Sequence, residues 1–130
     1  MNARLVYLAG SIYRMDDECL EWRAEVSKQL RAKKIMTLSP MSRDYRGMEQ
    51  SDDIRRRIVE GDKRDITASD TLLAFCPKPS FGTAMEIHFA WSLHKQIIIV
   101  SQHGSPWLKY HATAIFPTID EAVSSLVFAK

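Results

Sequence analysis

Only two cysteines, Cys19 and Cys76, occur in the 130 residues. They have neither the CxxC spacing of a metal or redox site nor the density of a disulfide scaffold, so both read as reduced, structural residues. The short motifs of several large enzyme classes are also missing: there is no GxGxxG, no Walker A loop, no HExxH and no GxSxG. His88, His94, His103 and His111 do not fall into a ligand pattern, and His88 and His94 read as helix-surface or rim residues. Dinucleotide and metal chemistry are therefore disfavoured, and neither a cofactor nor a metal is expected. A net charge of +2 is too small to draw a nucleic acid polymer by electrostatics alone. The apolar run before Gly10 is only five residues, Leu5 to Ala9, too short for a signal peptide or a membrane span, which points to a cytoplasmic protein. No internal repeat or low-complexity stretch occurs.

What remains is ordinary globular material, 45% hydrophobic and 26% charged, in a length suited to one domain over residues 1–130. Leu5-Val6-Tyr7-Leu8-Ala9 reads as a first strand that ends at Gly10-Ser11. The acidic Asp16-Asp17-Glu18 suits the first turn of a helix, which carries Leu20, Ala24, Ser27 and Leu30, with Trp22 and Val26 beside them, as far as Lys33-Lys34. Ile35 to Leu38 is a second strand, stopped by Pro40. Ser51 is a plausible N-cap for a helix through Ile54, Ile58, Val59 and Ile66, and Thr71 to Cys76 is the third strand. A helix with Met85, Phe89 and Leu93 on one stripe follows. Ile97 to Val100, four β-branched residues in a row, reads as a buried central strand. Ser101 to Lys109 reads as a loop, Ala114 to Phe116 as a short strand, and Thr118 with Glu121 as a capping box opening a last helix. This alternation predicts an α/β three-layer, Rossmann-like fold with a parallel five-stranded sheet in the order 2-1-3-4-5.

In such a sheet, ligands bind beyond the carboxyl ends of the strands where the order reverses. That rule selects Gly10-Ser11-Ile12-Tyr13 after strand one and the loop Pro77 to Gly82 after strand three, which runs into a helix N-terminus able to attract an anion. Glu86 lies near the start of that helix, where by position alone an acid reads as a complement to the helix dipole. In the preceding helix Ile54, Ile58, Asp62 and Ile66 follow at i+4 steps, which puts a carboxylate on an apolar stripe. Asp62 is either a rim residue bonded to an amide or an arginine, or a functional acid. Asp65 falls near the same stripe, and Asp70 suits a turn or a helix end. Two carboxylates at one switch point suit substitution at an acetal-like carbon, one as nucleophile and one managing the leaving-group proton. Arg55-Arg56-Arg57 and Lys63-Arg64 point in different directions on a helix and read as a solvated face, not a nucleic-acid stripe.

Taken together, Val6-Tyr7-Leu8-Ala9-Gly10-Ser11-Ile12, then Asp62 with Asp65-Ile66 and Ser69 to Leu73, then Ser80-Phe81-Gly82-Thr83-Ala84-Met85-Glu86-Ile87 resemble the nucleoside 2-deoxyribosyltransferase family across nearly the whole chain. The resemblance implies a flavodoxin-like fold, a covalent 2-deoxyribosyl intermediate on Glu86, and exchange of one free nucleobase for another on a small nucleoside substrate. It makes Asp62 an acid close to the base and the nucleophile, and Tyr7 an aromatic that orients Glu86, although an inward Tyr7 could equally be core. Arg43-Asp44-Tyr45-Arg46-Gly47 looks like the family's variable substrate loop, with Asp44 the candidate contact; a plain solvated loop is the alternative.

One departure bears on the substrate. Some members carry an Asp six residues before the motif Glu, on the sugar 5′-hydroxyl; here that residue is Ser80. The related deoxynucleoside 5′-monophosphate N-glycosidases have a Ser there, on a phosphate, so a nucleotide-hydrolysing activity is the rival expectation, with Arg14 or Arg43 as the accompanying cation. A non-catalytic nucleotide-binding module is a third class, against which the presence of both Glu86 and Asp62 argues. Family members are homo-oligomers whose neighbouring subunit completes the pocket, often from the loop after strand four, here Gln102 to Trp107, or from the C-terminus. Trp91 and Trp107 suit such an interface or the core.

Overall fold

The computed structural model describes residues 1–12 and 17–130. In chain order it contains β1 (Asn2–Ala3), β2 (Leu5–Gly10), α1 (Glu18–Ala32), β3 (Met36–Leu38), a 3-10 turn (Pro40–Arg43), α2 (Asp52–Ala68), β4 (Thr71–Phe75), α3 (Phe81–Ser92), β5 (Gln96–Val100), α4 (Pro106–His111), β6 (Ala114–Phe116), α5 (Ile119–Ser125) and β7 (Val127–Phe128). Five strands form one parallel sheet in the order β3-β2-β4-β5-β6. Counted among those five, this is 2-1-3-4-5, the expected doubly wound order.

Side chains alternate across a strand, and that period sorts the core into two layers. Val6 and Leu8 of β2 face Trp22, Val26 and Leu30 of α1 and Ala122, Val123 and Leu126 of α5. Tyr7 and Ala9 face the opposite way, with Ile66 of α2 and Ile87 and Ala90 of α3. Tyr7 is therefore fully buried, and its ring stands on the side of the sheet that α2 and α3 cover. Ser51, Ser80 and Thr118 each cap a helix by accepting from the backbone amide three residues on, Ile54, Thr83 and Glu121. Arg55, Arg56 and Arg57 pair with Asp52 and Asp53 on an exposed face. Neither Cys19 nor Cys76 forms a disulfide, and burial pushes the Cys76 thiol up to about 11. No helix among the described residues is long and apolar enough to cross a membrane.

Several local expectations are corrected. In α1 the inward residues are Cys19, Trp22, Arg23, Val26 and Leu30, while Ala24 faces solvent. Arg23 takes an inward place because its guanidinium finds backbone carbonyls there. In α3 the inward stripe is Thr83, Ile87 and Ala90, and Met85 and Leu93 lie outside. The segment read as a loop from Ser101 to Lys109 contains the start of α4, entered at Pro106, a residue preorganised for a first helical turn. The pairing of β1 with β7 was not foreseen, since two-residue strands leave no periodicity. Asp70, expected in a turn, is a clasp: Oδ2 accepts from the amides of Arg4 (2.8 Å) and Leu5 (3.1 Å), and Oδ1 accepts from the Thr71 hydroxyl (2.7 Å). It ties the entry of β2 to that of β4.

Candidate active site

Because β2, β4 and β5 run parallel, the segments leaving β2 and β4 emerge at the same edge of the sheet. The β2 exit is packed tightly. A Cβ on Gly10 would stand 2.7 Å from Trp22 Cζ2 and 3.3 Å from the Phe75 carbonyl oxygen, so no larger residue fits without displacement. Beneath it the buried Arg23 guanidinium donates to the carbonyls of Gly10 (2.8 Å), Cys19 (2.9 Å) and Leu8 (3.2 Å). The β4 exit leads through Ser80 into α3, whose second turn carries Glu86 back over β2.

There the Tyr7 hydroxyl donates to Glu86 Oε2. Asp62 of α2 stands near enough for its charge to act on both Glu86 and Tyr7. Burial pushes Glu86 up to about 8; the Tyr7 hydrogen bond opposes that rise, the Asp62 charge adds to it and Arg23 opposes it. Asp62 is pushed up to about 6, again by burial first, with Arg43 opposing and Asp65 adding. Tyr7 is raised by burial and by the two carboxylates, so it stays a protonated donor. A donor, a desolvated carboxyl and a second carboxyl thus converge in one place.

They converge at the wall of a cavity of about 800 Å³. Its lining includes Gly10, Ile12, Ser80 and Gly82, the carboxyls of Asp62 and Glu86, and Trp107, Leu108 and His111. A smaller cavity of about 190 Å³, lined by Asp44, Tyr45 and Arg46, shares Ile12, Ile58 and Asp62 with the first. Among the residues expected from sequence, Glu86, Asp62, Gly10, Ile12, Ser80 and Gly82 thus line the main cavity, Asp44 lines its annex, and Tyr7 reaches Glu86 from the sheet. Ser11 follows directly, its hydroxyl oxygen buried with no hydrogen-bond partner among the described residues. Tyr13, and Arg14 as a phosphate partner, lie outside the described residues. Arg43, the other candidate cation, is held by two carboxylates: Nη2 donates to Asp65 Oδ2 (2.8 Å) and Asp62 Oδ1 (3.3 Å).

Three contributors were not legible in the sequence. Arg43, expected beside a phosphate, instead reaches Asp62 across 19 residues, and Arg23 carries no local signal of its burial. His111 is buried: its Nδ1 donates to the Trp107 carbonyl (2.8 Å), so its Nε2 accepts from His88 Nδ1 (3.1 Å). That chain fixes α4, and with it its part of the cavity lining, to α3. Only Gly61, a glycine inside a predicted helix, was a visible sign of a close approach.

Comparison with known proteins places the fold and the family. The chain is similar in structure to a 2-deoxyribosyltransferase from Bacillus psychrosaccharolyticus, with a TM-score of 0.76 at 19% identity over 92% of this chain and 90% of that one. A Clostridium botulinum CMP N-glycosidase matches with a TM-score of 0.64 at 19% identity, covering 94% and 97%. A conserved protein from Enterococcus faecalis V583 matches with a TM-score of 0.63 at 18% identity, covering 98% and 92%. These similarities show the shared fold. No curated protein sequence matches the chain. The family model for nucleoside 2-deoxyribosyltransferase matches residues 6–119, so the chain belongs to that family.

Proposed function

We propose that the protein cleaves the N-glycosidic bond of 2′-deoxynucleosides and transfers the sugar to a second nucleobase through a covalent intermediate on Glu86. The observation that carries this reading is the Tyr7–Glu86–Asp62 constellation at the cavity wall. A Glu86 oxygen attacks C1′, the C1′–N bond breaks, and its electron pair leaves with the base, which takes a proton from Asp62. The incoming base then attacks C1′ as its N–H proton passes to Asp62, and the C1′–O bond breaks to release the Glu86 carboxylate. The reacting form has Glu86 ionised and Asp62 protonated; between pH of about 6 and 8 the pair holds one proton, which rests mainly on Glu86, the more strongly raised of the two, and the Tyr7 hydrogen bond lowers the cost of shifting it to Asp62. A bell-shaped rate profile across that window follows.

Hydrolysis of a deoxynucleoside 5′-monophosphate is the second reading, favoured by one observation: Ser80 stands at the N-terminus of α3, where backbone amides and a hydroxyl suit a phosphate. Against it, Arg43 is committed to Asp62 and Asp65. The protein acts as a homo-oligomer in this proposal. Phe81, Met85, Trp107 and Tyr110, each more than 70% exposed, form an apolar rim around α3 and α4 beside the cavity mouth, suited to cover by a second copy.

Chromatography of purified protein with deoxynucleosides, and separately with their monophosphates, each with and without a second base, tests the assignment with Glu86→Ala as control. A new nucleoside formed only by the wild type is the expected result. Free base released from monophosphates alone moves the assignment to hydrolysis, and turnover that survives in Glu86→Ala rejects the mechanism.

A further inference from the structure

Gly61 is buried in the interior of α2, where glycine costs about 1 kcal/mol relative to alanine. The structure shows what occupies the vacated space. A Cβ at Gly61 would lie 2.9 Å from Arg43 Nε and 3.3 Å from both Cζ and Nη2. The guanidinium of Arg43, carried by the 3-10 turn after β3, thus packs against the helix at the one residue without a side chain, and from there it reaches Asp65 and Asp62 together.

We propose that Arg43 is a positioning residue that holds the Asp62 carboxyl against Glu86, with Asp65 as its anchor and Gly61 as the gap that admits it. The proposal rests on the reading of Asp62 as the acid of the reaction. Arg43 acts through Asp62 in two ways. Its shorter bond to Asp65 fixes the guanidinium, so the longer bond to Oδ1 sets the rotation of the Asp62 carboxyl. Its charge also keeps the Asp62 proton transferable. The groups facing Asp62 are Arg43 from the turn, Asp65 on the same helix, Arg23 from α1, Glu86 from α3 and Tyr7 from β2. Lys63, its sequence neighbour, lies over the Phe89 ring at 5.5 Å. Arg43 is the largest influence opposing the rise that burial imposes. Without it Asp62 holds its proton more tightly and gives it up less readily to a departing base.

The test is a carboxyl-carbon NMR titration of protein labelled with ¹³C-aspartate, the Asp62 signal being assigned with Asp62→Asn. Arg43→Met moves the Asp62 midpoint up by about one pH unit or more, the size expected for loss of an adjacent opposite charge. Arg43→Lys recovers most of the shift. Gly61→Ala, which keeps the arginine but displaces it, also moves the midpoint up. Where turnover is measurable, the acidic limb of the rate profile moves with it. An Asp62 midpoint unchanged in both Arg43→Met and Gly61→Ala overturns the proposal. The titration needs no turnover, so an inactive wild-type protein whose midpoint moves as stated rejects the transferase reading and leaves the positioning role supported.

Discussion

The Tyr7 hydroxyl and Glu86 Oε2 are joined across 79 residues of chain, one from the inner strand β2 and the other from α3. A hydrogen bond of this kind favours the ionised carboxylate, the form able to attack carbon. Tyr7→Phe removes the donor and leaves the packing of a fully buried ring nearly unchanged. We expect kcat/KM to fall roughly 10–100-fold, the value of a hydrogen bond to a charged group, and the alkaline limb near pH 8 to move upward. A pH–rate profile of the variant reads both effects, and an unmoved limb would assign Tyr7 to the core alone.

Glu86 illustrates a conflict between function and stability. Its folded-state pKa of about 8 lies above the ordinary 4.5, so the folded protein binds this proton more tightly than the unfolded chain does. Stability is therefore lost as pH rises from 4.5 through 8, and the full cost is present above 8. Glu86→Gln cannot ionise. It should be inactive yet more stable than wild type by on the order of 2–4 kcal/mol above pH 8, with little difference near pH 4.5. Thermal melts at the two pH values decide the matter.

Asp62→Asn keeps the shape of the acid and removes its proton. The expected loss is roughly 10²–10⁴-fold, the usual contribution of general acid catalysis. It should shrink for a substrate whose base departs as a stable anion, because that base needs no proton. An equal loss for both kinds of base would exclude proton transfer as the role of Asp62.

How far the sequence reached follows from what each signal depends on. Asp62 stood out as a carboxylate on an apolar i+4 stripe, whereas Glu86 and Tyr7 stood out only through the resemblance, since by position alone Glu86 reads as a complement to the helix dipole and Tyr7 as core. The strand order was legible because strict β–α alternation allows few topologies. Arg23 and Arg43 were not, since both are long cations whose partners are carbonyls or carboxylates brought close only by the folded chain. The stripe on α3 was misassigned for a related reason. Met85 and Leu93 are as apolar as Ile87, and only the packed sheet shows which side is covered.

Gly10→Ala tests the tight exit from β2. With Trp22 Cζ2 only 2.7 Å from the new methyl, we expect a loss of about 1–3 kcal/mol, the common cost of overfilling a packed site, read as a lower urea midpoint.

The apolar rim makes its own prediction. Trp107 is stacked on His111, with ring centroids 6.1 Å apart, and is 76% exposed. Replacing both Trp107 and Met85 by glutamate should leave the helical circular dichroism intact while sedimentation shifts from oligomer to monomer. A wild-type protein that already sediments as a monomer at high concentration would exclude the second copy.

Asp70 works at the quiet end of the sheet, on the opposite edge from Glu86. By gripping the Arg4 and Leu5 amides and the Thr71 hydroxyl, it helps hold β2 and β4 in the alignment that sets Tyr7 beside Leu72. A slip of one residue in that alignment would turn Tyr7 to the α1 side of the sheet and leave Glu86 without its donor. The candidate site is thus calibrated from the far end of the sheet, much as a ruler is read from its zero mark.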